Sequence, residues 1–119
     1  MKLHHVAITI PKDGEQAAKE FYCDILGLIE TQKPESLQGR GGFWLQLDGS
    51  QIHVSIEEGV ERLKTKAHVA IEVSNIQEIK QRIVNYGLNP VDGIPIPGYN
   101  RFEFRDPFGN RMECIARIQ

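Results

Sequence analysis

At 119 residues, with 40% hydrophobic and 25% charged side chains and a formal charge of −2, the chain suits one compact domain, residues 1–119, with a real core. No Lys/Arg run stands out and no apolar stretch approaches the ~20 residues of a membrane span, which argues against nucleic acid and membrane as partners. The opening "MKLHHVAIT" has one lysine and then strand-like alternation, not the apolar core of a signal peptide, so the cytoplasm is the expected compartment.

In chain order, "LHHVAITI" alternates and is rich in β-branched residues, which predicts a strand. "DGEQAAKEFYCDILGLIE" predicts a helix: Ala17, Phe21 and Ile25, with Ala18, Tyr22 and Leu26, fall at helical spacing, and Gly27 suits the C-terminal cap. "KPESLQGRGG" reads as a loop, and "FWLQL", "DGS" and "QIHVSIE" as a β-hairpin. The order then repeats. "AHVAIEV" is a strand and "SNIQEIKQRIVNYG" a helix, with a Ser74/Gln77 capping box, an Ile76, Ile79, Ile83 stripe and Gly87 at its end. "LNPVDGIPIPGYN" is loop and edge strand, because its prolines spoil central pairing. "RFEFR", the turn "DPFGN" and "RMECIARI" close with a second hairpin. Cys23 and Cys114 are expected as buried, unpaired thiols.

The chain is therefore expected to be α+β, two βαβββ modules in tandem over about 1–60 and 66–119. His5 and His68 are equivalent, 63 positions apart; His53 and Glu113 are 60 apart, as are the turn glycines Gly49 and Gly109. Alternation places His5, His53, His68 and Glu113 each opposite an apolar face, beside small residues such as Ala7, Ser55 and Ala70. Four such nitrogen and oxygen donors suit Zn, Ni, Co, Fe(II) or Mn. His4 falls on the other face, as a structural or exposed residue. If His53 is no ligand, His5, His68 and Glu113 form a two-histidine, one-carboxylate triad. Arg40, Trp44, Tyr99 and Arg101 lie in equivalent stretches of the two halves and are candidate substrate contacts, the arginines for a carboxylate or phosphate. Phe21 and Tyr22 read as packing residues.

The stretches "LHHVAITI", "AAKEFYCDILGL", "AHVAIEV" and "FRDPFGNRMECI" resemble the vicinal oxygen chelate superfamily, which includes glyoxalase I, bleomycin-resistance proteins, fosfomycin-modifying thiol transferases and extradiol dioxygenases. "KPESLQGRGGFWLQL" followed by "IHVSIEE" is similar to a bacterial glyoxalase-like group. The resemblance implies a cupped mixed sheet holding a divalent metal. It implies ligands at His5, His68 and Glu113, with His53 where bacterial glyoxalase I commonly has a second glutamate. That replacement makes the site one charge unit more positive. It further implies a lyase or isomerase of the glyoxalase I type, acting on a small oxygen-chelating substrate such as a thiol adduct of a 2-oxoaldehyde, with Glu113 as base and a thiol cosubstrate. The alternatives are an Fe(II) dioxygenase, a metal-dependent thiol transferase, or a drug-binding resistance protein. Relatives of this length often form homodimers that share the site between modules.

Overall fold

The computed structural model describes all 119 residues. Strands and helices fall in two compact units, Met1–Val60 and Glu61–Gln119. No helix is long and apolar enough to cross a membrane.

In the first unit, β1 (His5–Ile10) leads to helix α1 (Glu15–Lys19), which continues as a π-helical stretch, Glu20–Ile25. Strands β2 (Ile29–Thr31), β3 (Phe43–Gln46) and β4 (Gln51–Ile56) complete a four-stranded sheet of order β1-β4-β3-β2. β1 runs parallel to β4, the other pairs antiparallel. The apolar parity of the sequence becomes the buried face: Ile8, Ile10, Phe43, Leu45, Ile52 and Val54 are buried. The helix contributes Ala18, Phe21, Tyr22 and Leu26 to the core. The π-helical turn was not foreseen. Its wider register (Leu26 N–H donates to the Phe21 carbonyl) carries both adjacent aromatics inward, where their rings pack edge to face with centroids 5.1 Å apart. The predicted loop also holds a 3-10 helix, Glu35–Arg40.

The second unit repeats the plan. β5 (His68–Glu72), α2 (Ile76–Tyr86), β6 (Val91–Asp92), β7 (Tyr99–Arg105) and β8 (Arg111–Arg117) form a sheet of order β5-β8-β7-β6, with β5 parallel to β8. The two-residue β6 is the edge, as the prolines required. Ile76, Ile79 and Ile83 are the buried stripe of α2, and Gly87 caps it at φ +106°. The N-terminal cap departs from expectation. It is Asn75, not Ser74, and no side chain bonds the helix N–H groups there. Instead the Asn75 amide donates to the Glu78 carboxylate, which Arg82 also holds, so the local polar bonds are made between side chains. In "DPFGN" the buried Asp106 carboxylate accepts from the Phe108 and Asn110 N–H groups and fixes the turn.

Both cysteines are free, but only Cys114 is buried; Cys23, on the π-helical stretch, is half-buried, contrary to expectation. Burial, with the Glu113 charge beside it, pushes the Cys114 thiol up to about 12. Burial also raises Cys23, with the Glu30 and Asp24 charges adding to it. At pH 8 a disulfide reagent should therefore react with the native protein far more slowly than with free cysteine, and with both thiols at once in guanidinium chloride. A native thiol reacting at the free-cysteine rate would contradict this.

Candidate functional site

Cross-strand register decides which of the candidate residues meet. In the first unit Ala7 and Trp44 are both paired with His53, and His5 with Gln51, so His5, His53 and Trp44 share one face. Their rings form a column. The Trp44 and His53 centroids are 3.8 Å apart at 2°, and the His53 and His5 centroids 4.0 Å apart at 13°. Arg40 joins them on the wall of an open cavity of about 310 Å³, together with Lys33, Leu37 and Gly41. The fit of strand to strand depends on Gly42. Its φ is +79°, and a Cβ there would lie 2.2 Å from the Val54 carbonyl oxygen.

Hydrogen bonding settles the His53 tautomer. The Gln46 amide nitrogen donates to the Leu47 and Ser50 carbonyls, so its oxygen accepts from Gln51 Nε2. That leaves Gln51 Oε1 facing His53 Nε2 at 2.9 Å, and His53 Nε2 must donate. The bare lone pair of His53 is on Nδ1. Burial, then the neighbouring His5 and His4 charges, holds its pKa below the usual histidine value, which favours the neutral, ligating form. His4 precedes β1, so strand alternation does not govern it, and its Nδ1 lies 2.9 Å from His5 Nδ1.

In the second unit Ala70 is paired with Glu113 and His68 with Arg111. His68 Nδ1 is 3.0 Å from the Lys66 carbonyl, which can only accept, so Nδ1 carries the proton. His68 Nε2 faces Glu113 Oε1 at 3.5 Å. A neutral imidazole there sets a lone pair against a carboxylate, an arrangement that calls for a proton or a cation between them. Arg101, a predicted substrate contact, meets Glu113 instead: its Nη1 donates to the same Oε1 at 2.9 Å. Its Nε donates to the Ile94 carbonyl, and Gly93 leaves the space its guanidinium fills. Tyr99 lies two residues before Arg101 on the same strand, opposite Arg117, whose guanidinium stands 5.9 Å from the ring.

One residue escaped the sequence reading. Glu103 is paired directly with Glu113, as Trp44 is with His53. It binds Arg111 Nη2 at 2.8 Å and Arg101 Nη1 at 3.3 Å. The signal was present in the alternation of "RFEFR", where Arg101, Glu103 and Arg105 all oppose the buried phenylalanines.

The donors can be tested against a divalent ion. His68 Nε2 and Glu113 Oε1 fit: 3.5 Å is close to the edge of a tetrahedron with donors about 2.1 Å from its ion. The Lys66 carbonyl orients the imidazole as an outer partner should. The stacked His5 and His53 rings do not converge as they stand. Lone pairs lie in the ring planes, and planes 13° apart send them nearly parallel, so a shared ion requires one ring to rotate. Neither unit alone gathers three such side chains in ligating geometry.

Known proteins resemble this chain in sequence and in fold. A crystal structure assigned to the glyoxalase family from Bacillus anthracis is 35% identical with a TM-score of 0.89, over 99% of this chain and 96% of that one. The fosfomycin resistance protein FosX from Listeria monocytogenes, complexed with Mn(II) and a sulfate ion, shares the fold at 16% identity and a TM-score of 0.75, over 98% and 90% of the two chains. The Arabidopsis thaliana protein Glyoxylase I 4 is 26% identical over 93% of this chain and 68% of its own length. The family profile described as Glyoxalase/Bleomycin resistance protein/Dioxygenase superfamily matches residues 2–114, and the chain belongs to that superfamily.

Proposed function

We propose that the protein is a metal-dependent, glyoxalase-like enzyme acting on a small substrate that chelates through neighbouring oxygens. One observation carries this reading: His68, with Nδ1 tied to the Lys66 carbonyl, turns its Nε2 toward Glu113 Oε1 at 3.5 Å. His5 and His53 would supply the remaining donors once one of their stacked rings rotates. A divalent ion among Zn, Ni, Co, Fe(II) and Mn supplies Lewis acidity toward charge developing on the substrate oxygens. FosX, with its Mn(II), lends support from a shared fold.

The protein's own groups divide the remaining work. Arg101 orients Glu113 through Oε1. Glu113 Oε2 has no hydrogen-bond partner, and it is the atom that accepts the proton beside a substrate carbonyl and returns it one carbon along. His53, neutral above its lowered pKa, keeps Nδ1 free to ligate. A thiol adduct of a 2-oxoaldehyde is the first substrate to test, and a homodimer the expected assembly.

The test is elemental analysis of the purified protein beside His53→Ala, His68→Ala and Glu113→Ala. Wild type should carry close to one divalent ion per chain. His68→Ala and Glu113→Ala should lose it. Loss in His53→Ala as well supports four ligands, while retention there favours the triad of His5, His68 and Glu113. Wild-type protein that takes up no metal under any loading condition would sink the enzyme reading. Conversion of methylglyoxal and glutathione to lactoylglutathione then tests the substrate class.

A further inference from the structure

The cavity of the first unit has an unusual charge balance. Two cationic side chains, Lys33 and Arg40, line it with the two imidazoles, and no carboxylate does. Arg40 is the more telling. Arg82, Arg101, Arg111 and Arg117 are each paired with a glutamate, Arg105 donates to backbone carbonyls, and Arg62 is buried and engaged. Arg40 alone has no partner of any kind.

The segment that carries it is nonetheless tied down. Lys33 Nζ donates to the Gly41 carbonyl at 2.7 Å, and Gln38 Nε2 donates back to the Lys33 carbonyl. The Gly42 N–H donates to Glu15 Oε1 on helix α1 at 2.7 Å. Gly41 and Gly42 both hold positive φ, which turns the chain sharply after Arg40. A guanidinium left unpaired on an anchored segment, lining one cavity with the stacked aromatic rings, is a site for an anion. A volume of about 310 Å³ sits at the lower end of small-molecule pockets.

We propose that Arg40 and Lys33 form an anion-anchoring subsite, and that the substrate carries a small oxyanion, a carboxylate or a phosphoryl group, which they hold beside the His5–His53–Trp44 column. The proposal rests on the reading of this face as the substrate side of a metal enzyme, but the cations need no metal. Arg40 engages two oxygens of the anion through its fork, and Lys33 adds a second positive charge while keeping its bond to Gly41. Both are specificity-determining residues and take no part in proton transfer.

Trp44 is the chain's one tryptophan and stands in the cavity wall, so its fluorescence reports occupancy directly. The protein, stripped of metal by chelation and again reloaded with Zn or Mn, is titrated with pyruvate and with inorganic phosphate at constant ionic strength. At least one of the two should change the emission saturably in both metal states. Arg40→Ala and Lys33→Ala should each weaken that binding at least tenfold, and Arg40→Lys less than Arg40→Ala. Response to pyruvate alone assigns a carboxylate, and response to phosphate alone a phosphoryl group. Arg82→Gln, on helix α2 and outside the cavity wall, should bind as wild type does. Binding that survives both alanine substitutions unchanged, or no saturable response to either anion in either state, overturns the subsite. Because the stripped protein is read separately, loss of the metal reading leaves this result standing, and failure here leaves metal occupancy untouched.

Discussion

Gly42→Ala should lower the melting temperature by about 10–20 °C, corresponding to roughly 3–5 kcal/mol for a chain of this size. Two costs combine at that position. The backbone is at φ +79°, where an L side chain is strained by about 1–2 kcal/mol. The new Cβ would also stand 2.2 Å from the Val54 carbonyl oxygen, 3.3 Å from its carbon and 3.4 Å from Ser55 Cα, so the β4 backbone itself must move. Val54 is paired with Phe43 on one side and Ile8 on the other, so displacing it loosens both strand contacts at once. Gly49→Ala is the control. It has the same φ of +79° but nothing within 4 Å of the added methyl. Thermal melts of the two variants should separate strain from collision. A Gly42→Ala protein no less stable than Gly49→Ala would show that β3 can lift away from β4 at little cost.

Arg101→Gln should destabilise the second unit by about 3 kcal/mol near neutral pH, because it removes the cation shared by two largely buried carboxylates. The side chains of Glu113 and Glu103 are 7% and 19% exposed, and Arg101 lies 2.9 and 3.3 Å from them. Arg111 keeps Glu103 partly compensated, so Glu113 bears most of the loss. The deficit should shrink in acid. Arg111 first, and then Arg101, hold the Glu103 carboxyl below its ordinary value of 4.5. A carboxyl with a depressed folded pKa stabilises above the unfolded value, and the contribution fades as pH falls through the folded one. Urea midpoints should therefore differ most between wild type and Arg101→Gln at pH 7, and the share of the difference carried by Glu103 should fade below pH 4.5. A deficit independent of pH would mean that Arg101 acts through packing against Gly93 rather than through charge. A divalent ion should recover part of the loss, since it can replace the guanidinium beside Glu113.

Most of the architecture was legible because it is periodic. Val6, Ile8 and Ile10 alternate with His5, Ala7 and Thr9, and the same parity recurs in β5, so the buried face and the polar face follow from a period of two. Glycines at 27, 49, 87 and 109 mark the ends of elements through their positive φ. Irregular segments were harder. The 3-10 helix at Glu35–Arg40 has no apolar stripe and is held by Lys33, Gln38 and Glu15, whose contacts have no fixed spacing. The capping box failed for a related reason: Asn75 found Glu78, a partner as near in sequence as the backbone groups it might have capped.

The candidate site divides along the same line. Alternation alone tells that His5, His53, His68 and Glu113 share the polar parity of their strands, and the repeat tells that they form two matched pairs. Strand pairing adds what no spacing contains. It brings Trp44 against His53 and Glu103 against Glu113, and places Arg101 on the oxygen that faces His68. The folded structure also decides which ring nitrogen donates, through a Gln46–Gln51 relay at His53 and the Lys66 carbonyl at His68. The physical reason is range. A strand's parity is a property of its own backbone, whereas a tautomer or an ion pair depends on atoms a few ångströms away that the chain supplies from other strands and loops.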